Sequence, residues 1–143
     1  MKIDSIYEEW GKDSEIDKTE LGDESIRIPK LHHKYYQIYT AEKMLLRKYD
    51  ADMRKLKLDK YEFYTMGPNE DTPKDWKLPP RGMILKTDIP MYIEGDKDII
   101  DLSLRIGIQQ EKVEFIKSII DSISKRGFLL KTIHDDRKFM SGG

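Results

Sequence analysis

Residues 29–64 read PKLHHKYYQIYTAEKMLLRKYDADMRKLKLDKYEFY, a stretch with no glycine and no proline after Pro29. Its apolar positions Leu31, Tyr35, Ile38, Leu45, Tyr49, Met53 and Leu56 recur at spacings of three, four and seven. That is the period of one buried helical face, so the spacing predicts a single long amphipathic helix. Pro29 is tolerated in a first turn, where its missing N–H has no intrahelical partner to lose, and Met66, Gly67 and Pro68 supply a stop signal. At ~1.5 Å per residue such a helix exceeds about 50 Å, longer than a small domain needs, so a partner helix or another subunit is expected beside it.

Working outward, residues 67–81 (GPNEDTPKDWKLPPR) hold four of the six prolines together with Gly, Asn and Asp, which predicts a loop. In residues 82–94 (GMILKTDIPMYIE) short apolar runs flank Asp88 to Pro90, the pattern of a small β-hairpin or an extended arm. Pro90 would then stand on an edge or at a strand's first residue, and the hairpin would need a helix or a neighbouring subunit to pack on. After Gly95 the helical period returns, with Asp96 as N-cap and Asp98 and Asp101 where the helix dipole favours negative charge. Leu102, Ile106, Val113, Ile116, Ile120 and Ile123 follow steps of four and three, with Gln109 in the one missing position. This heptad-like seam is of the kind that joins helices, including helices of different subunits. Lys125 and Arg126 would close the helix, Gly127 would cap it in the left-handed conformation, and Phe128 would make the accompanying apolar contact. A last short helix, residues 129–139, is expected to turn Leu130 and Ile133 inward. The chain thus reads as mainly α in three regions: helical 1–66, the Pro-rich loop and possible hairpin 67–94, and helical 95–143.

Composition agrees with a thin helical protein. Hydrophobic residues are 38% and charged residues 37% of 143, against roughly 45–50% and 25% in ordinary domains. The absence of cysteine excludes a disulfide scaffold, thiolate zinc sites and cysteine nucleophiles. The amino-terminal MKIDSIYEEWGKDSEID has no apolar run of signal-peptide or membrane-span length, so a soluble intracellular protein is expected. The net charge of −1 conceals a pattern: residues 1–26 carry −6, 27–60 carry +6, 61–101 carry −4 and 102–143 carry +3. A basic block between acidic ones suits a segment that binds a polyanion, and equally a solvated helix surface laced with ion pairs.

Catalysis finds no support in the sequence. His32 and His33 are adjacent, hence about 100° apart on a helix, and His134 has no partner one turn on, so no metal face forms. Asp96, Asp98 and Asp101 lack the glycine and the twelfth-position glutamate of a calcium loop, and helix capping explains them better. GxxxxGK[ST], GxGxxG and GxSxG are all absent, and no cofactor is expected. The basic helix is the better lead. Residues 35–64 hold six of the eight tyrosines and Phe63, interleaved with Lys43, Arg47, Lys48, Arg54, Lys55, Lys57 and Lys60. Single strands are held by cations that replace phosphate counterions and by aromatic faces on which bases rest. For Tyr35, Tyr49 and Tyr61 the core side of the helix is the preferred reading, whereas Lys60 and Tyr64, beside the Pro-rich loop, are better placed for a ligand.

The order of features resembles the UvsY-type recombination mediators of tailed bacteriophages: an acidic amino-terminal helix, a basic helix running into LKLDKYEFYTMG (residues 56–67), a short insert, then DKDIIDLSL (96–104) and SISKRGFLLKTIHDDRKFMSGG (122–143). The resemblance covers essentially the whole chain, most strongly at residues 57–64 and at KRGF followed by a short helix with Asp136 and Arg137. It implies a non-enzymatic protein in the cytoplasm of the infected host cell. That protein would bind single-stranded DNA as a ring-like homo-oligomer, in the hexamer to octamer range, assembled through its carboxy-terminal helices. It would help load the phage recombinase onto DNA covered by the phage single-strand-binding protein. It also implies that the family's DNA-contacting basic pair falls on Lys57 or Leu58 and on Lys60. KLDKYEFY shifts one basic residue and has Lys in place of Arg, a point charge without the planar fork. The expected nucleic-acid site is Arg47, Lys48, Arg54, Lys55, Lys57, Lys60 and Tyr64; the expected assembly surface is the seam with Phe128. The rival readings are a helical adaptor docking through Tyr7 and Trp10 without nucleic acid, and a phage assembly protein using the same seam.

Overall fold

The acidic amino terminus forms α1 (Ile3–Asp13), and the glycine-poor stretch forms α2 (Leu21–Met66), a helix of 46 residues. A 3₁₀ turn (Lys86–Asp88), α3 (Ile89–Glu94), α4 (Lys97–Ser124) and α5 (Arg126–Met140) follow. The computed structural model describes residues 1–82 and 84–142; Met83 of the expected hairpin and Gly143 of the expected carboxy-terminal region lie outside the described residues.

Three local expectations are corrected. First, α2 begins eight residues before Pro29, which lies inside it. The lost i−4 hydrogen bond is tolerated because the preceding turns are anchored: Glu24 is buried and Ile28 packs on the core. Second, no strand occurs among the described residues, and residues 86–94 are helical instead of a hairpin. Pro90 stands in the first turn of α3, where a missing N–H costs nothing, so the residue taken to restrict a strand starts a helix. Third, Gly127 is not a left-handed cap; α4 ends at Ser124, Lys125 makes the break, and α5 runs through Gly127. The stop of α2 is as expected: Gly67, at φ 81°, donates its amide to Phe63 O at 2.9 Å, and Pro68 follows.

The chain divides into two compact units, Met1–Met44 with Gln110–Gly143, and Leu45–Gln109. The expected regions 1–66 and 95–143 are each divided between them, because α2 and α4 contribute residues to both. In the first unit Ile6 of α1, Leu31 and Tyr35 of α2, and Ile116, Ile119 and Ile123 of α4 form one buried cluster. Trp10 meets Tyr35 edge-on at 5.5 Å, and Tyr7 meets Phe115 at 4.6 Å. Asp13 ties the rim: its carboxylate accepts from the Tyr35 hydroxyl (2.8 Å) and pairs with Lys34 (2.6 Å) and Arg27 (3.2 Å). Arg126, at the start of α5, donates to Asp13 O at 2.8 Å, and Leu130 is buried behind it. In the second unit Phe63, Ile89 and Ile99 are buried. No helix of the described residues is long and apolar enough to cross a membrane.

Candidate nucleic-acid interface

Within the second unit, α2 presents two opposed faces. At ~100° per residue, Arg47, Arg54, Leu58 and Tyr61 fall within about 60° of one another, with Thr65 on the same line, Ala51 at its edge and no acid in the row. Arg47, Arg54 and Leu58 are exposed, and Tyr61 is 42% exposed. Lys48 and Lys55 lie about 80–100° to one side and Lys57 about 80° to the other, all exposed; Asp50 and Glu62 flank the same row. Lys55 pairs with Asp59 at 2.7 Å, which holds its ammonium above the usual value and partly satisfies its charge. Lys57 lines a groove of mixed polarity with Met53, Ile93, Glu94, Ile100 and Leu104. The row therefore combines two guanidinium groups with an aromatic face in water.

Lys60 and Tyr64 are elsewhere. Lys60 is 3% exposed, some 140° around the helix from Arg47. Its ammonium lies 2.8 Å from Asp98 and 3.1 Å from Asp96, with the Trp76 indole over it at 3.7 Å from the ring centre. Asp96 also accepts from the Tyr64 hydroxyl (2.7 Å) and from the amides of Asp98 and Ile99, so it caps α4 as expected while closing this cluster. Burial pushes the Asp96 carboxyl up, but the Tyr64 and Lys60 hydrogen bonds, the Ile99 amide and the ammonium charge outweigh it and hold the group below its ordinary range. Burial and the same carboxylate hold the Tyr64 phenol above its own. Both side chains expected to meet a ligand are thus engaged in fastening α2 to α4 and to the proline-rich loop. Tyr61, expected in the core, faces out. The signal for Tyr61 was present, since it lies seven residues beyond Arg54; nothing in the loop sequence marked Trp76 as the cover of Lys60.

The seam residues are also divided. Val113, Ile116 and Ile123 are buried in the first unit, joined by Ile119, whereas Leu102, Ile106 and Ile120 are half-buried and Phe128 is 78% exposed. Gln109, the polar member, is buried.

The family model described as "Recombination, repair and ssDNA binding protein UvsY" matches residues 9–143. The chain belongs to the UvsY family. It is 23% identical to the recombination protein uvsY of Enterobacteria phage T4, over 99% of both chains. Crystal structures of the bacteriophage T4 recombination mediator protein UvsY resemble it at TM-score 0.78 in two lattices. One is 25% identical over 99% of this chain and 98% of that one. The other is 21% identical over 98% and 99%. Membership in this phage recombination, repair and ssDNA-binding family agrees with the resemblance read from residues 57–64 and 122–143. Of the basic pair that resemblance implied for this UvsY-family chain, Lys57 and its neighbour Leu58 are exposed and Lys60 is not.

Proposed function

We propose that the chain is a recombination mediator. It binds single-stranded DNA through the outward row of α2 and, as a homo-oligomer, promotes loading of the phage recombinase onto strands covered by the single-strand-binding protein. The observation that carries this reading is the row itself: Arg47 and Arg54 in line with exposed Tyr61, acid-free, in a member of an ssDNA-binding family. Lys48, Lys55 and Lys57 broaden the positive track, which supports phosphate contact without base readout. Lys60 and Tyr64 support the row from behind by holding the helix. Phe128 and the half-buried Leu102 and Ile106, with the part of Ile120 that the core of its own chain leaves uncovered, are the seam residues that join copies, in the hexamer to octamer range. A strand running over several subunits then gains avidity that one helix does not supply, and its wrapping weakens the covering protein's hold.

The test is anisotropy of a labelled single strand, with a duplex of the same sequence as control, titrated across salt. The expected result is preference for the single strand and a steep loss with salt, the slope falling by about 0.7 for each phosphate contact removed, as in Arg54→Ala. Absence of binding at low salt would refute the reading.

A further inference from the structure

The first unit carries a row of rings whose outer members, His32 and Tyr36, serve neither the core nor the basic row of α2. His32 and Tyr36, one turn apart, stack with centroids 5.7 Å apart and planes only 16° from parallel, and Tyr39 adjoins them, its centroid 5.9 Å from that of Tyr36 and its plane tilted by 44°. His32 is exposed and Tyr36 is 51% exposed, while Tyr39 rests its other side on the core cluster. The Lys43 ammonium lies 5.3 Å over the Tyr39 ring and donates to its hydroxyl at 3.1 Å. Lys30 and Lys43 are both exposed. The only acid of α2 between Glu24 and Asp50 is Glu42, which is buried and paired with Lys112 at 3.3 Å.

We infer that His32, Tyr36 and Tyr39, with Lys43, form a stacking platform for unpaired nucleobases, a second DNA subsite separate from the phosphate-contacting row. An aliphatic partner would gain nothing from the parallel planes of His32 and Tyr36, and exposed Lys30 and Lys43 on the same helix suit a charged one. An unpaired base on a charged strand uses both: its π-face extends the stack and its phosphate finds the lysines. The inference rests on the proposed ssDNA function and adds to it where the bases go.

The experiment compares a labelled oligothymidylate with a strand of equal length in which most positions are abasic, so that phosphates are kept and bases removed. The full-length chain should prefer the base-bearing strand about five-fold or more, the range for one stacked base. The double variant His32→Ala with Tyr36→Ala should lose most of that preference while its salt slope stays as in the parent, and Tyr36→Phe should retain it. Arg54→Ala should do the reverse, lowering the slope and keeping the preference. Unchanged base preference in the double variant would overturn the platform, leaving the ssDNA function standing on Arg54→Ala. A change in the particle mass of the double variant by sedimentation would also overturn it, assigning the rings to contact between copies. Failure of the parent to bind the single strand at low salt would remove the proposed function and the platform together.

Discussion

Lys60 lies between two carboxylates and an indole, so its ammonium is already satisfied by groups of its own chain. Removing it leaves Asp96 buried with only the Tyr64 hydroxyl and two amides as partners. Breaking a buried pair from one side costs about 3–5 kcal/mol; because Asp98 is 39% exposed and can turn to water, the lower end is expected here. Urea denaturation followed by circular dichroism should therefore find Lys60→Ala destabilised by about 3 kcal/mol, with ssDNA affinity lost in step with folding. Lys57→Ala, at an exposed position, should keep stability within about 0.5 kcal/mol and weaken ssDNA binding directly. The opposite pattern, a stable Lys60→Ala with reduced affinity and salt slope, would place Lys60 at the DNA and remove its role as a fastener.

At the scale of elements, Pro29 sets a measurable strain in α2. It is exposed and inside the helix, where a proline has no amide to give the Ser25 carbonyl and its ring crowds that oxygen. Interior proline costs about 3 kcal/mol in a helix, and its rigidity returns roughly 0.4–1 kcal/mol by restricting the unfolded chain. Pro29→Ala should thus raise stability by about 2 kcal/mol, seen as a melting point several degrees higher; a lowered melting point would show that the proline is needed for the packing of Ile28 and Leu31. The same helix shows what a sequence discloses. Leu31, Tyr35, Ile38, Leu45, Tyr49, Met53 and Leu56 give the period, and the period gives the helix. Continued by its own steps, the stripe lands on Glu42, Lys60 and Phe63, and in α4 on Gln109; all four are buried. A polar residue in an apolar stripe is legible as buried only once its partner is known, and Asp96, the cap of α4, and Asp98 and Lys112 within it are far away in sequence. For that reason Lys60 read as a ligand contact while Tyr61 read as core. Short elements failed for a different reason: residues 86–94 have no room for a period, and Pro90 fits a strand edge and a helix start equally well.

For the whole molecule, the open part of the seam decides which variants can test assembly. Aspartate at Ile116 or Ile123 would unfold the first unit, whose core they fill, whereas Phe128→Asp adds charge at an exposed position. Phe128→Asp should keep its melting point, lower the particle mass by sedimentation and weaken ssDNA binding through lost avidity; an assembled variant with parental affinity would exclude Phe128 from the interface. Acid acts on both units at once, because each contains a paired carboxylate held below its ordinary range. In the first unit burial pushes Asp13 up, but hydrogen bonds from Lys34 and Tyr35 and the charges of Lys34 and Arg27 prevail; in the second, Asp96 follows the same balance with Lys60 and Tyr64. A carboxyl whose folded value is depressed binds its proton more readily when unfolded. Its contribution is complete above the unfolded value, about pH 4, and drains away as pH falls through the lower folded value. Stability measured by urea should accordingly be flat in this respect from neutrality to about pH 5 and fall steeply below about pH 4. Asp96→Asn keeps the helix cap but gives up the charge facing Lys60. Its stability at neutral pH should be lower and its decline with acid shallower, so that the variant and parent curves converge; parallel curves would mean that Asp96 carries none of the acid sensitivity.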